Sequence, residues 1–329
     1  MPTSRTLTIS LLGLCLFTGL TSRALAGETS TSGYKVLQTW AIGGSERWDY
    51  LSIDPAARRL YVARSTHVSV IDADSGKVLG DIPDTAGVHG VAIASEQGHG
   101  FTSNGKDDSV WMFDLATIKP IKKIKVGKKP DAIIFDPATK RVFVMNGKSE
   151  DTTAIDAASG DVVGTVALGG GPEFAASDGK GKIYINLEEQ AETLEVDAVN
   201  LKVLSRWSLK PSATPTGLAI DRETGRLFVG CRSKQMVVLN VADGKPVASL
   251  PIGAGVDATA YDPETKLAFA SNGDGTLTIV GESAGKYTVL DNIATVKGAK
   301  TMALDPKSHR VLLGAAKADG FAILVVGKP

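Results

Sequence analysis

A pattern of seventeen residues recurs along this chain, and the near-constant distance between its copies restricts the fold more than any other feature. "WDYLSIDPAARRLYVAR" (48–64), "PDAIIFDPATKRVFVMN" (130–146), "PTGLAIDRETGRLFVGC" (215–231) and "VDATAYDPETKLAFASN" (256–272) align without gaps. Weaker copies begin at Val88 and Pro172, and another spans 299–315. The second residue of each copy falls at 49, 89, 131, 173, 216, 257 and 300, in steps of 40 to 43 residues. Seven supersecondary units of this length predict a repeat architecture.

Each copy holds a short apolar strand, an Asp-Pro turn or variant, and a second strand of "LYV" or "VFV" type. Asp followed by Pro suits a type I turn, because Pro presets φ and Asp bonds its own backbone. A third strand ("VSVID", "TTAID"), a glycine turn and a fourth strand complete the unit. Four antiparallel strands per 40–45 residues is the layout of a β-propeller blade. Helical spacing and leucine ladders, the marks of a solenoid, are absent. The seventh copy ends after its third strand, at "FAILVVGKP" (321–329), while "VLQTWAIGG" (36–44) is a fourth strand with no blade. Pairing 36–42 with 321–326 completes the ring and removes the open sheet edge. The expected fold is therefore all-β: a seven-bladed β-propeller of four antiparallel strands per blade, closed by the N-terminal strand and forming one domain over 27–329.

Residues 1–26 read as a secretory signal peptide. Arg5 is followed by the apolar run Leu7–Leu20 and by Ala24-Leu25-Ala26, a small-x-small cleavage pattern. The run is short of the roughly 20 residues a membrane span needs. Cleavage before Gly27 predicts a periplasmic or secreted protein that is not membrane-integral and is monomeric. It would carry 34 basic and 36 acidic residues, without the basic excess of a general nucleic-acid binder. Only Cys231 remains in that chain, so no internal disulfide is expected.

The strand endings "RLYVAR", "HGFTSN", "RVFVMN" and "LAFASN" resemble the signature of YVTN-repeat β-propellers, the YncE-like exported bacterial proteins. The resemblance covers 34–329 and implies the propeller fold; a superfold of this kind does not by itself imply a chemistry. Relatives carry a second cysteine just before the fifth copy. Here Ser212 stands in that neighbourhood, so no partner for Cys231 is at hand.

In a propeller the first strand of each blade lines the central channel, so the second residues of the copies form a ring at one channel mouth. That ring is Asp49, His89, Asp131, Glu173, Thr216, Asp257 and Lys300. Asp49, His89, Asp131 and Glu173, from four successive blades, combine oxygen donors with one imidazole and suit a divalent cation. A cationic organic ligand would relieve the same repulsion between carboxylates. The bland alternative is a solvated channel mouth. A second tier comes from the loops after the second strands. Arg64 and Arg232 would clamp an anion, and Asn104, Asn146 and Asn272 would make a polar collar or brace their own turns. Trp48 and Tyr50 flank Asp49 as an aromatic wall or as core.

Cys231 next to Arg232 reads as a reactive thiol or, more plainly, a buried one. The six lysines of "KPIKKIKVGKKP" (119–130) mark an outer strand protected against unwanted pairing, or a patch for an acidic partner. His67 reads as a surface or packing residue, and His99 and His309 fall on the face opposite the ring. No Cys-x-x-Cys-His, Gly-x-Ser-x-Gly or phosphate-binding glycine loop is present, so neither covalent haem nor a nucleotide is expected. Three functions follow as expectations. One is a binding or scaffold propeller for a small ligand, a divalent metal or another periplasmic protein. Another is a metal-assisted lyase or lactone hydrolase with His89 as general base. The third, from fold analogy alone, is a redox role beside a quinone or haem protein.

Overall fold

Short apolar runs broken by Asp, Asn and Gly turns form seven four-stranded antiparallel sheets in the computed structural model, which describes residues 1–3 and 32–329. The expected signal peptide and the start at Gly27 fall on or beside residues 4–31 and lie outside the described residues. Blades 1 to 6 span 51–82, 88–125, 130–167, 172–208, 215–251 and 256–294. Blade 7 is built from 302–327 and the N-terminal strand Lys35–Ala41. That strand pairs antiparallel with Gly320–Gly327, Val36 opposite Val326 and Trp40 opposite Ile323. The ring closes as the sequence predicts. Among the described residues the one helical element is the 3-10 turn Ser95–Gln97, which stands where other copies have Asp-Pro. No helix among them is long and apolar enough to cross a membrane.

The second and third strands of each blade are buried almost end to end; Leu60–Ala63, Val142–Asn146 and Phe269–Asn272 are sealed from solvent. Outer strands such as Val78–Ile82 and Val162–Ala167 keep one face in water. The Asp-Pro turns form as expected: Asp54 Oδ1 accepts the backbone N–H of Ala56 and Ala57, and Asp136 Oδ2 that of Thr139. Hydroxyls stitch neighbouring inner strands together. Thr301 Oγ1 donates to the Asp49 carbonyl at 2.9 Å, Ser271 Oγ to that of Lys300 at 2.5 Å, and Ser103 Oγ to that of Asp131. These stitches hold the inner strands at a set spacing around the channel.

Blades 7 and 1 are also joined on the far face. Arg58 grips the buried Asp305 through Nη1–Oδ1 at 2.9 Å and Nη2–Oδ2 at 2.7 Å. Burial favours the neutral carboxyl, but the bonds from Arg58 and Ser308 outweigh it and hold Asp305 below its ordinary value. Arg58→Ala would leave that carboxylate buried without its cation, at a cost of about 3 kcal/mol. A carboxylate depressed in the folded state stabilises above its unfolded pKa, and the gain is lost as pH falls through the folded value. Denaturant unfolding should therefore show the deficit at neutral pH and show it shrinking below about pH 4. An equal deficit at both pH values would assign the loss to packing.

Candidate functional site

The start of each blade's first strand faces the channel, and residues there from three successive blades gather together. His89 Nδ1 lies 2.6 Å from Asp49 Oδ2 and 3.5 Å from Asp131 Oδ1. One donor atom from each of Asp49, His89 and Asp131 falls within 4.8 Å of the others. Gly105 makes room for the ring: a Cβ there would come 2.8 Å from His89 Nε2 and 3.1 Å from the Pro130 carbonyl. Burial disfavours a charged imidazole, but the Asp49 hydrogen bond and the charges of Asp131 and Asp49 raise His89 overall. Burial pushes Asp131 up to about 6, with His89 and Lys129 pulling against it.

Glu173, the fourth residue of the expected metal set, sits apart from this trio and belongs to a second group around Arg232. Arg232 Nη2 donates to Asp257 Oδ1 at 2.8 Å and Nη1 to Glu188 Oε1 at 2.6 Å, with Glu173 Oε1 3.9 Å away. Lys300 Nζ donates to the other Asp257 oxygen at 2.6 Å. Burial first, and then the charges of Asp131, Glu188 and Asp257, push Glu173 up to about 8. Tyr50 closes the floor. It is buried against Phe174, ring centroids 5.0 Å apart, and burial together with Glu173, Asp131, Asp257 and Asp49 drives its hydroxyl well above the usual range.

Other candidates are placed elsewhere. Thr216 Oγ1 donates to the Val256 and Gly230 carbonyls at 2.8 and 3.3 Å, so it is one of the stitches and does not face the mouth. Arg64 is 2% exposed and turned into the closure. Its Nη2 donates to the Gly43 carbonyl and to Glu46, and its guanidinium lies 4.2 Å from the Phe321 ring centroid. The next residue, Ser65 at φ 64°, reaches the mouth instead. Asn104 bonds Ser109, Asn146 bonds Asp151 and Thr153, and Asn272 bonds Thr276 and Thr278. These asparagines brace the start of the third strand, the turn role and not the collar. Trp48 packs on Phe321 at 5.1 Å and still lines the mouth.

Burial pushes the Cys231 thiol up to about 12, so it is not activated by Arg232. Lys122, Lys123 and Lys128 of the lysine run pair with Asp161, Asp107 and Asp108. His67 contacts Thr66, His99 the Ala157 carbonyl and His309 Asp262. Arg47 and Lys106, which line the mouth with Lys129 and Lys300, escaped the sequence reading. The signal was present: Arg47 lies two residues before Asp49, and Lys106 two after Asn104, on the loops that meet at the channel.

No protein-family model matches the chain. It is similar to an Escherichia coli (strain K12) protein named "Uncharacterized protein YncE", 25% identical over 152 residues that make up 43% of this chain and 43% of that relative. The matched segment is thus under half of either protein. Among solved structures it resembles "Kuenenia stuttgartiensis Hydrazine Synthase" at TM-score 0.74 and 16% identity, over 88% of this chain and 97% of the other. "Structure of U3-55K" gives TM-score 0.75 and 11% identity over 89% and 98% of the two chains. A chain of the mitotic checkpoint complex gives 0.75 and 17% over 97% and 99%. Identities this low speak for the fold alone.

Proposed function

We propose that this chain, a YncE-like propeller, is an exported binding protein that holds a divalent cation at the channel mouth on Asp49, His89 and Asp131. The convergence of three donor atoms from three consecutive blades within 4.8 Å carries the reading. Two carboxylates and one imidazole match the donors of Zn²⁺ or Mn²⁺, and three protein ligands leave a coordination position open to a small ligand. An ion held there would take the place of the hydrogen bond between His89 Nδ1 and Asp49 Oδ2.

The enzymatic alternative asks His89 to move a proton. Asp49 holds Nδ1 as a carboxylate orients a general base, but Asp131 Oδ1, 3.5 Å from the same nitrogen, adds the third donor that a bound cation needs and a base does not, which favours binding over lyase or lactonase chemistry.

Elemental analysis of the purified protein after incubation with Zn²⁺ or Mn²⁺ and desalting tests the reading. We expect about one ion per chain in the native protein, and loss of that ion in His89→Ala/Asp131→Ala with the β circular dichroism retained. Full ion content in the double variant would remove the site assignment. Intact-mass analysis of the exported protein should give a chain starting at Gly27; the uncleaved mass would sink the export reading.

A further inference from the structure

The acids on the floor of the mouth are held in close ion pairs, but among the described residues three of its bases are not. Asp49 and Asp131 share His89, and Asp257 and Glu188 are held by Arg232, with Lys300 also on Asp257. Arg47, Lys106 and Lys129 line a cavity of about 610 Å³ with Trp48, His89, Lys300 and one carboxylate, Asp49, which is bonded to His89. Among the described residues none of the three cations has a carboxylate within 4.0 Å. They come from three loops: the entry to blade 1, the second-to-third-strand turn of blade 2 and the entry to blade 3.

Small residues shape the space between them. A Cβ at Gly87 would come 2.6 Å from Lys106 Cγ, so the lysine stem crosses the chain there. Gly298, at φ +88°, has nothing within 4 Å of where its Cβ would be, and leaves the opposite wall open. Trp48 contributes an apolar wall fixed by its packing on Phe321. A concavity with an aromatic wall and converging unpaired cations suits a small organic anion with more than one acid group.

We propose that this basic arc is a binding site for an organic polyanion, carboxylate or phosphate in chemistry, held by Arg47, Lys106 and Lys129 against Trp48. The site shares its cavity with Asp49 and His89 of the cation site and does not require an ion there. Arg64 and Arg232, the arginines that sequence spacing favours as an anion clamp, are already engaged inside the protein.

Calorimetric titration of the full metal-free protein with tricarballylate and pyrophosphate as probes, and glycerol as uncharged control, tests it; the two anions separate carboxylate from phosphate preference. We expect one polyanion per chain to bind, to quench Trp48 fluorescence and to weaken as salt rises. Lys106→Glu/Lys129→Glu should weaken binding at least about tenfold, equivalent to about 1.4 kcal/mol. Lys125→Glu, on the outer strand Pro120–Lys125, should leave it unchanged. An unaltered melting temperature in each variant excludes unfolding. Absence of binding by both anions, equal loss in Lys125→Glu, or binding seen only after ion loading would each overturn the proposal. Asp131→Asn distinguishes the two readings. Ion loss with anion binding kept leaves this proposal standing, and an ion-binding protein that takes neither anion sinks this one alone.

Discussion

Removing residues 32–44 should abolish cooperative folding, the largest effect expected of any change to this chain. The deletion strips blade 7 of its outer strand and leaves Gly320–Gly327 as a long apolar edge. It also takes out Trp40, whose indole lies where a Cβ on Gly76 would approach to 2.3 Å, and Tyr34, packed on Phe269 at 5.3 Å. Losing a buried aromatic costs about 3–5 kcal/mol, and two of them approach the 5–15 kcal/mol that stabilises a typical domain. The Gly43 carbonyl goes too, one of the two acceptors of the buried Arg64, leaving only Glu46. Thermal melts should lose their sigmoidal transition, and limited proteolysis should cut within blade 7. A peptide of residues 32–44 added in excess should restore protection by strand addition. A truncated protein that melts like the full chain would show that the ring does not depend on this strand.

The second large effect is a pH dependence of stability carried by Glu173. Its folded pKa is raised from 4.5 to about 8 by burial among other carboxylates. A raised acid binds its proton more tightly folded than unfolded, so its contribution is fully present below the unfolded value and is lost as pH rises through the folded one. The metal-free protein should lose stability between about pH 4.5 and pH 8, by on the order of 4 kcal/mol from this group. Glu173→Gln keeps a neutral side chain at every pH and should abolish that loss. Its melting temperature should match the native protein near pH 5 and exceed it by roughly 5–10 °C at pH 8. Arg232 keeps Asp257 and Glu188 in the variant, so removing the 3.9 Å contact leaves it paired. A variant less stable than native at pH 8 would mean that Glu173 is ionised and that Arg232 is its true partner.

Much of the site follows from position within the repeat. Counting to the second residue of each copy identifies Asp49, His89 and Asp131 as neighbours, because equivalent residues on consecutive inner strands point into one channel. Thr216 obeys the same count but turns its hydroxyl to the Val256 carbonyl, since a short side chain reaches the adjacent backbone before it reaches the pore. The second tier is less legible. Asn104 and Asn272 meet Ser and Thr hydroxyls within their own blades, a local satisfaction that sequence position does not distinguish from a polar collar. Arg232 shows the reverse. Its length lets it span from blade 5 to Asp257 of blade 6 and Glu188 of blade 4, contacts that no single repeat contains.

The chain's own order of residues determined the number of blades, the four strands of each and the closure by the first strand. Those properties depend on short apolar runs and turn chemistry that repeat locally. Which charges meet at the channel mouth was decided only in the tertiary structure. Side chains brought together from separate blades compete for partners by reach and burial, so Arg64 was drawn into the closure while Arg47, Lys106 and Lys129 were left lining the cavity. That competition takes place across the ring, between residues that the repeat period alone does not rank.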